Sequence, residues 1–269
     1  MGGLFDLHKH LVLTCALEQL KQHTKGFHFI DAHAGAGLYD ISEEITPNQS
    51  TVGVKDLLSA NKNEITEQYV GIVKGFNGGG PLLKYPGSPM IARKLLRAKD
   101  SMSLIELNVD DYSELSSAFQ SDVKVDIDHG SAFDRVIKHI PEGFYDGLIL
   151  IDPDYIIDGD STDTANLIIL CKAKWPKAMM IVTLPFTGSL AKDRYVISIL
   201  KDSGVTDLVT SNIEFVDTVE EQGKVETRIS RVLVVNPVHD IKNTIESVLS
   251  QMVSTLPVLI KAKSRVEWA

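Results

Sequence analysis

From about residue 85 onward the chain alternates strand-like and helix-like segments so regularly that few architectures remain open to it. Apolar runs at 103–107, 123–127, 147–152 and 178–184 each follow a helix-like stretch, at about 88–99, 110–120, 132–139 and 162–174. Repeated units of this kind predict an α/β fold: a mostly parallel sheet with helices on both faces. A further helix at about 189–203 leads to a strand pair at 206–216 and 228–236. The polar stretch from Val219 to Lys224 reads as the hairpin turn between them, and a last helix covers about 239–254. The pair adds an antiparallel strand at the end of the sheet. Upstream, Phe5, Leu7, Leu11, Val12, Cys15, Ala16 and Leu20 recur at helical spacing over 4–21, and 27–31 reads as a strand. Residues 40–82 break the rhythm with two helix-like pieces and end in the breaker Asn77-Gly78-Gly79-Gly80-Pro81. They read as a helical insertion, so the main domain is 1–39 with 83–269.

No apolar run reaches the roughly 18–20 residues that span a bilayer. Asp6, His8, Lys9 and His10 interrupt the start where a secretory signal needs an apolar core. Cys15 and Cys171 sit in apolar helical segments and read as buried free thiols, consistent with a reducing cytoplasm. The net charge is −9. That argues against a non-specific nucleic-acid coat, which needs cations to displace phosphate counterions, but leaves room for a local basic patch. Lys84, Arg93, Lys94, Arg97 and Lys99 fall in a stretch without an acid and are the candidate patch for nucleic acid.

In sheets of this type ligands bind at the carboxyl ends of the strands. The first strand ends in Asp31-Ala32-His33-Ala34-Gly35-Ala36-Gly37, whose small residues let backbone approach a nucleotide-like ligand. It is neither the spaced glycine fingerprint of dinucleotide enzymes nor a P-loop. The next strand ends in Glu106, placed to accept hydrogen bonds from both hydroxyls of a ribose. Then comes Asp128-His129-Gly130-Ser131, a turn that either lies beside an adenine ring or caps a helix with Ser131. The fourth strand ends in Asp152-Pro153-Asp154-Tyr155. An acid, a proline carbonyl and an aromatic ring are what methylation of an exocyclic base amine requires: two acceptors for the amine hydrogens and a face on which the extruded base stacks. Asp152 and Pro153 are the candidate acceptors and Tyr155 the platform. The eight histidines show no metal-ligand spacing, and no metal is expected.

Together, Asp31–Gly37, Tyr85-Pro86-Gly87-Ser88-Pro89, Glu106, 151–155, Asp6-x-x-Lys9-His10 and the ending 232–237 resemble the bacterial 23S ribosomal RNA adenine-N6 methyltransferase family. Relatives of that family are also labelled proteins involved in catabolism of external DNA. The resemblance implies a Rossmann-like class I S-adenosylmethionine-dependent methyltransferase, with cofactor contacts from His10, His33, Gly35, Ser88, Glu106, His129, Gly130 and Asp152, and Asp152 as the catalytic residue. It implies 23S ribosomal RNA, or DNA, as partner, with a monomeric, cytoplasmic protein. There are two departures. Asp154 stands where the family has a second proline, which exchanges a fixed φ for a flexible one and puts a second carboxylate near Asp152. The histidine- and tyrosine-bearing lead that precedes the family's Lys-His helix is here only Met1-Gly2-Gly3-Leu4-Phe5. These departures and the acidity favour a second reading, a catalytically impaired or repurposed nucleic-acid-binding relative tied to external DNA. A small-molecule methyltransferase is a third, against which Tyr155 speaks.

Overall fold

The computed structural model describes residues 2–42, 53–59, 63–143, 146–155, 160–184, 191–219, 224–238 and 240–269. Helix α1 (Leu4–His23) leads into β1 (Phe27–Asp31), and a small antiparallel pair, β2 (Leu38–Asp40) with β3 (Lys84–Pro86), brackets α2 (Val54–Ser59) and α3 (Glu64–Phe76). Then follow α4 (Ser88–Leu95), β4 (Ser101–Glu106), α5 (Val109–Ala118), β5 (Val125–His129), α6 (Ala132–His139), β6 (Asp146–Ile151), α7 (Asp160–Lys174), β7 (Ala178–Thr183) and α8 (Ala191–Asp202). The chain ends with β8 (Leu208–Val219), β9 (Lys224–Val235), α9 (Ile241–Thr255) and β10 (Lys263–Trp268).

The strands lie in the order β10-β8-β9-β7-β6-β1-β4-β5. From β5 to β7 the pairs are parallel, as the strand–helix alternation requires. Beyond β7 they are antiparallel, and this part is larger than a single terminal strand. β9, not β8, pairs with β7. Its apolar run Val232-Leu233-Val234-Val235 is buried throughout and suits the inner position. β10 then adds an edge that the sequence does not announce. Its residues are Lys-Ser-Arg-Val-Glu-Trp, and only Val266 is buried, as expected of a charged edge strand. The expected hairpin turn at 220–223 and the expected helix start at 189–190 lie outside the described residues.

Both faces of the sheet are covered, so its central strands read as continuous apolar runs: Leu148, Ile149, Leu150 and Ile151 are all fully buried. Alternate side chains feed two cores. Phe29, Leu148, Leu150 and Ile181 face the side of α1, α3, α4 and α9, and Ile30, Ile149, Ile151 and Val182 face α6, α7 and α8. Helix α1 runs across the first face and touches α3, α4, α9, β6, β7 and β9. It is buried nearly all round, which is why its apolar residues do not stay on one stripe.

A helix buried this way must find partners for its polar side chains. His8, fully buried, spans from α1 to the sheet: Nδ1 lies 2.9 Å from Ser230 Oγ and Nε2 lies 2.7 Å from Ser211 Oγ. Burial pushes its imidazole down to about 3, so the folded protein holds it neutral. The unfolded chain takes up a proton near 6.5, whereas the native His8 does so only near 3. Its contribution to stability is therefore complete above pH 6.5 and lost as pH falls toward 3. Urea unfolding followed between pH 7 and 4 is expected to show stability falling by up to about 1.4 kcal/mol per pH unit from this residue. His8→Gln, which cannot titrate, is expected to flatten that slope; an unchanged slope would show that His8 is not its source.

Candidate active site

A cavity of about 570 Å³ opens at the carboxyl ends of β1, β4, β5 and β6. The loop after β1 forms its floor. Ala32 donates to the Leu150 carbonyl and Ala34 to that of Ile105, so the chain continues between β6 and β4 before turning. Gly35 and Gly37 take left-handed φ values of +62° and +82°, which the turn requires. A Cβ at Gly35 would collide with the Tyr39 hydroxyl. Glu106, at the end of β4, accepts from the Gly35 and Asn108 backbone N–H groups, both at 2.7 Å. Each oxygen keeps lone pairs for a ligand.

The walls bring together His10, His33, Gly35, Ser88, Glu106, Gly130 and Asp152. His10 is only 1% exposed, and its Nε2 has no hydrogen-bond partner among the described residues. Ser88 begins α4 and is 5% exposed. His33 Nδ1 accepts from the Asp152 backbone N–H at 3.3 Å, and its ring meets Phe133 edge-on. His129 is not in this wall. It ends strand β5, with its ring 4.9 Å from that of Tyr112 and Nε2 3.0 Å from the Leu107 carbonyl oxygen. Gly130 and Ser131, the next two residues, line the cavity, as does Leu107; Ser131 precedes α6 without a side-chain cap.

Asp152 stands where this cavity meets a second one of about 220 Å³, lined by Phe5, Pro153, Tyr155, Thr183, Leu184 and Arg231. Asp6, Lys9, Asp152 and Asp154 border both. Sequence reasoning did not single out Lys9 as a site residue. Its ammonium donates to Asp152 Oδ2 and lies 3.5 Å from Asp6, while Thr183 donates to Oδ1. Burial alone would raise the Asp152 carboxyl, but the Lys9 charge and the two hydrogen bonds outweigh it and hold it below the usual carboxylate range. Asp154 is exposed and is not among the groups that shift Asp152; the second carboxylate that does is Asp6. The expected opposition of Asp152 and Asp154 gives way to the Lys9 ion pair. Nearby Asp31, fully buried with no cation in direct contact among the described residues, is pushed up to about 7 by burial. Tyr155 holds φ +54°, uncommon for a bulky residue, and its hydroxyl donates to the Thr183 carbonyl at 2.8 Å. Such strain gathers at functional sites.

The basic stretch does not join this site. Arg97 donates to Asp100 through Nε and Nη2, and to the Lys21 and Thr24 carbonyls through Nη1. Arg93 pairs with Asp122. Both acids precede the strands they abut, so these arginines clamp the amino-terminal edge of the sheet, opposite the cavity. Lys94 lies over the Phe76 ring, and Lys84 is exposed on the short β3.

With this geometry in view, comparison with known proteins is decisive. The family model described as "Ribosomal RNA large subunit methyltransferase D, RlmJ" matches residues 24–269. The chain belongs to this family. The ribosomal RNA large subunit methyltransferase J of Escherichia coli K12 is 38% identical over 166 residues, which cover 59% of this chain and 58% of that protein. Its Haemophilus influenzae namesake is 37% identical over 163 residues, with the same coverage. The match thus spans under three-fifths of these relatives' length. A crystal structure of a Legionella pneumophila protein superposes with a TM-score of 0.86 at 21% identity, covering 100% of this chain and 98% of that one, and shows the same fold. Helix α1, which brings Lys9 and His10 to the cavity, precedes the residues matched by the family model.

Because its guanidinium is committed to Asp122 at the far edge, Arg93→Ala is expected to leave the salt dependence of RNA binding unchanged. A filter-binding salt titration in which the slope falls by about one would return Arg93 to the interface.

Proposed function

We propose that this chain transfers a methyl group from S-adenosylmethionine to the N6 amine of an adenine in 23S ribosomal RNA. One observation carries the reading: the Asp152 carboxylate stands at the junction of two cavities, one suited to a nucleoside cofactor and the other walled by Pro153 and Tyr155. Membership of the ribosomal RNA methyltransferase family supports it. The cytoplasm, where ribosomal RNA is modified in bacteria, is the place this reading implies.

The larger cavity fits the cofactor. His10, whose buried Nε2 has no partner among the described residues, and Glu106, whose oxygens keep open lone pairs, line it, and at Gly35 a side chain would have no room. Glu106 would hold the ribose hydroxyls, and His10, His33, Ser88 and Gly130 the remainder. S-adenosylmethionine supplies an electrophilic methyl group when bound there. The protein's part is to position and polarise. Asp152, kept anionic by Lys9 and fixed by Thr183, would accept from the target amine, orient its lone pair and help take up its proton. The Pro153 carbonyl would accept the second amine hydrogen. Tyr155, tied to the end of β7, would give the base a stacking surface. Asp154 sits on the rim shared by both cavities, where the proline of the family pattern would have stiffened the loop.

Glu106→Ala is expected to weaken S-adenosylmethionine binding by about 1.5–3 kcal/mol, roughly 10- to 150-fold, the scale of hydrogen bonds to a charged group. Calorimetry showing wild-type affinity would remove Glu106 from the site. Asp152→Ala is expected to abolish methyl transfer to protein-free 23S RNA in a radiolabel assay. Transfer at an undiminished rate would sink the assignment of Asp152.

A further inference from the structure

From the cavity wall, which includes both His10 and Tyr85, a chain of buried polar groups leads inward from His10. His10 Nδ1 lies 2.8 Å from the Tyr85 hydroxyl, and the Tyr85 hydroxyl lies 2.9 Å from that of Tyr69. Tyr69 and Tyr85 are fully buried, and the His10 and Tyr85 rings stack at 5.6 Å. Tyr85 comes from β3 and Tyr69 from α3, so the chain joins the segment between β2 and β3 to the cavity. We propose that Tyr69 and Tyr85 are positioning residues that fix the His10 tautomer, so that Nε2–H is presented to the cavity as a donor for an anionic group of the ligand, the carboxylate of its amino-acid part. This rests on the cofactor reading above.

Counting hydrogens gives the direction. Three groups share the two links, and each tyrosine brings one hydroxyl hydrogen. In one arrangement Tyr69 donates to Tyr85, Tyr85 donates to His10 Nδ1, and the imidazole hydrogen sits on Nε2. Each hydroxyl hydrogen then has an acceptor, and the one hydrogen left over sits on the unpartnered Nε2 of a residue that lines the cavity. In the reverse arrangement Nδ1–H donates to Tyr85 and Tyr85 to Tyr69. The Tyr69 hydroxyl hydrogen is then left over, in a fully buried place with no further partner among the described residues, which carries the desolvation cost of an unmade hydrogen bond. Only the first arrangement lets a ligand or water satisfy the leftover hydrogen. The imidazole is neutral, since burial and the Lys9 charge push it well below its ordinary range, so it carries one hydrogen and the tautomer matters. The ligand's acceptor side follows from the wall. Glu106 and Asp152 put negative charge on the cavity wall, and an anionic group is best placed where Nε2–H and Ser88 stand, on the side of the Lys9 ammonium.

The test uses the full chain and two nucleosides: S-adenosylhomocysteine, which carries the amino-acid carboxylate, and methylthioadenosine, which lacks it. By calorimetry, Tyr85→Phe is expected to weaken S-adenosylhomocysteine about 5- to 10-fold and Tyr69→Phe about 3-fold, the scale of one lost neutral hydrogen bond, with methylthioadenosine changed less than about 2-fold. Nitrogen NMR of labelled histidine is expected to show His10 as Nε2–H in the wild type and as a mixture of tautomers in Tyr85→Phe. Equal losses for both nucleosides, or an Nδ1–H His10 in the wild type, would overturn the proposal. A wild type that binds neither nucleoside refutes the cofactor reading instead, and the His10 tautomer in the free wild type and Tyr85→Phe proteins still decides the relay.

Discussion

Everything at the site depends on how α1 is held in the protein. A helix buried on all sides cannot turn its polar residues to water, so each needs a partner inside. Three consecutive residues near its start, His8, Lys9 and His10, advance by about 100° each and so look in three directions. His8 meets serines of β8 and β9, Lys9 meets Asp152 at the end of β6, and His10 meets Tyr85 in the cavity wall. One turn of helix thereby locks the rotation and depth of α1 against the sheet, the loop after β6 and the segment between β2 and β3. A slip of α1 by one residue would leave a buried histidine and a buried ammonium unpaired together.

The same contact sets the electrostatics. The two cavities are lined by several carboxylates, and among the described residues Lys9 and Arg231 are the cations on their walls. Asp31 is fully buried and Asp152 keeps about a quarter of its side chain exposed, and they are driven in opposite directions. Asp152 receives the ammonium and a hydroxyl and stays an anion, whereas Asp31 has no direct cation and is raised to about 7. Direct contact with a cation, more than burial, separates a carboxylate suited to accepting an amine hydrogen from one that sheds its charge.

Two cations of the acid-free stretch, Arg93 and Arg97, pair with acids at the amino-terminal edge of the sheet. Arg97 alone ties the end of α1 to the start of β4 through the fully buried Asp100, which also accepts from the Phe27 N–H at the start of β1. The clamp holds the amino-terminal edge, and the Lys9 ion pair holds the carboxyl-terminal edge. Helix α1 is thus fastened at both ends, and Arg93 and Arg97, two of the five cations of the acid-free stretch, are committed to the frame.

The alternation of strands and helices, the buried runs such as 148–151 and the chemistry at strand ends were legible in the sequence because they are local. Side-chain period, turn residues and a carboxylate after an apolar run need no knowledge of what lies across the sheet. Glu106 and Asp152 could therefore be found from the residues, while His10 and Ser88 needed the family pattern. β10 escaped because one buried valine among charges gives no period. The place of β9 between β7 and β8, the position of His129 outside the cavity lining, the commitment of Arg93 and Arg97, and the meeting of Lys9 with Asp152 across 143 residues were decided only by the tertiary structure. Local rules state which side chains want burial or a charge partner. Which of several equally suitable partners each one meets is set by the packing of distant segments, and that packing exists only in the folded chain.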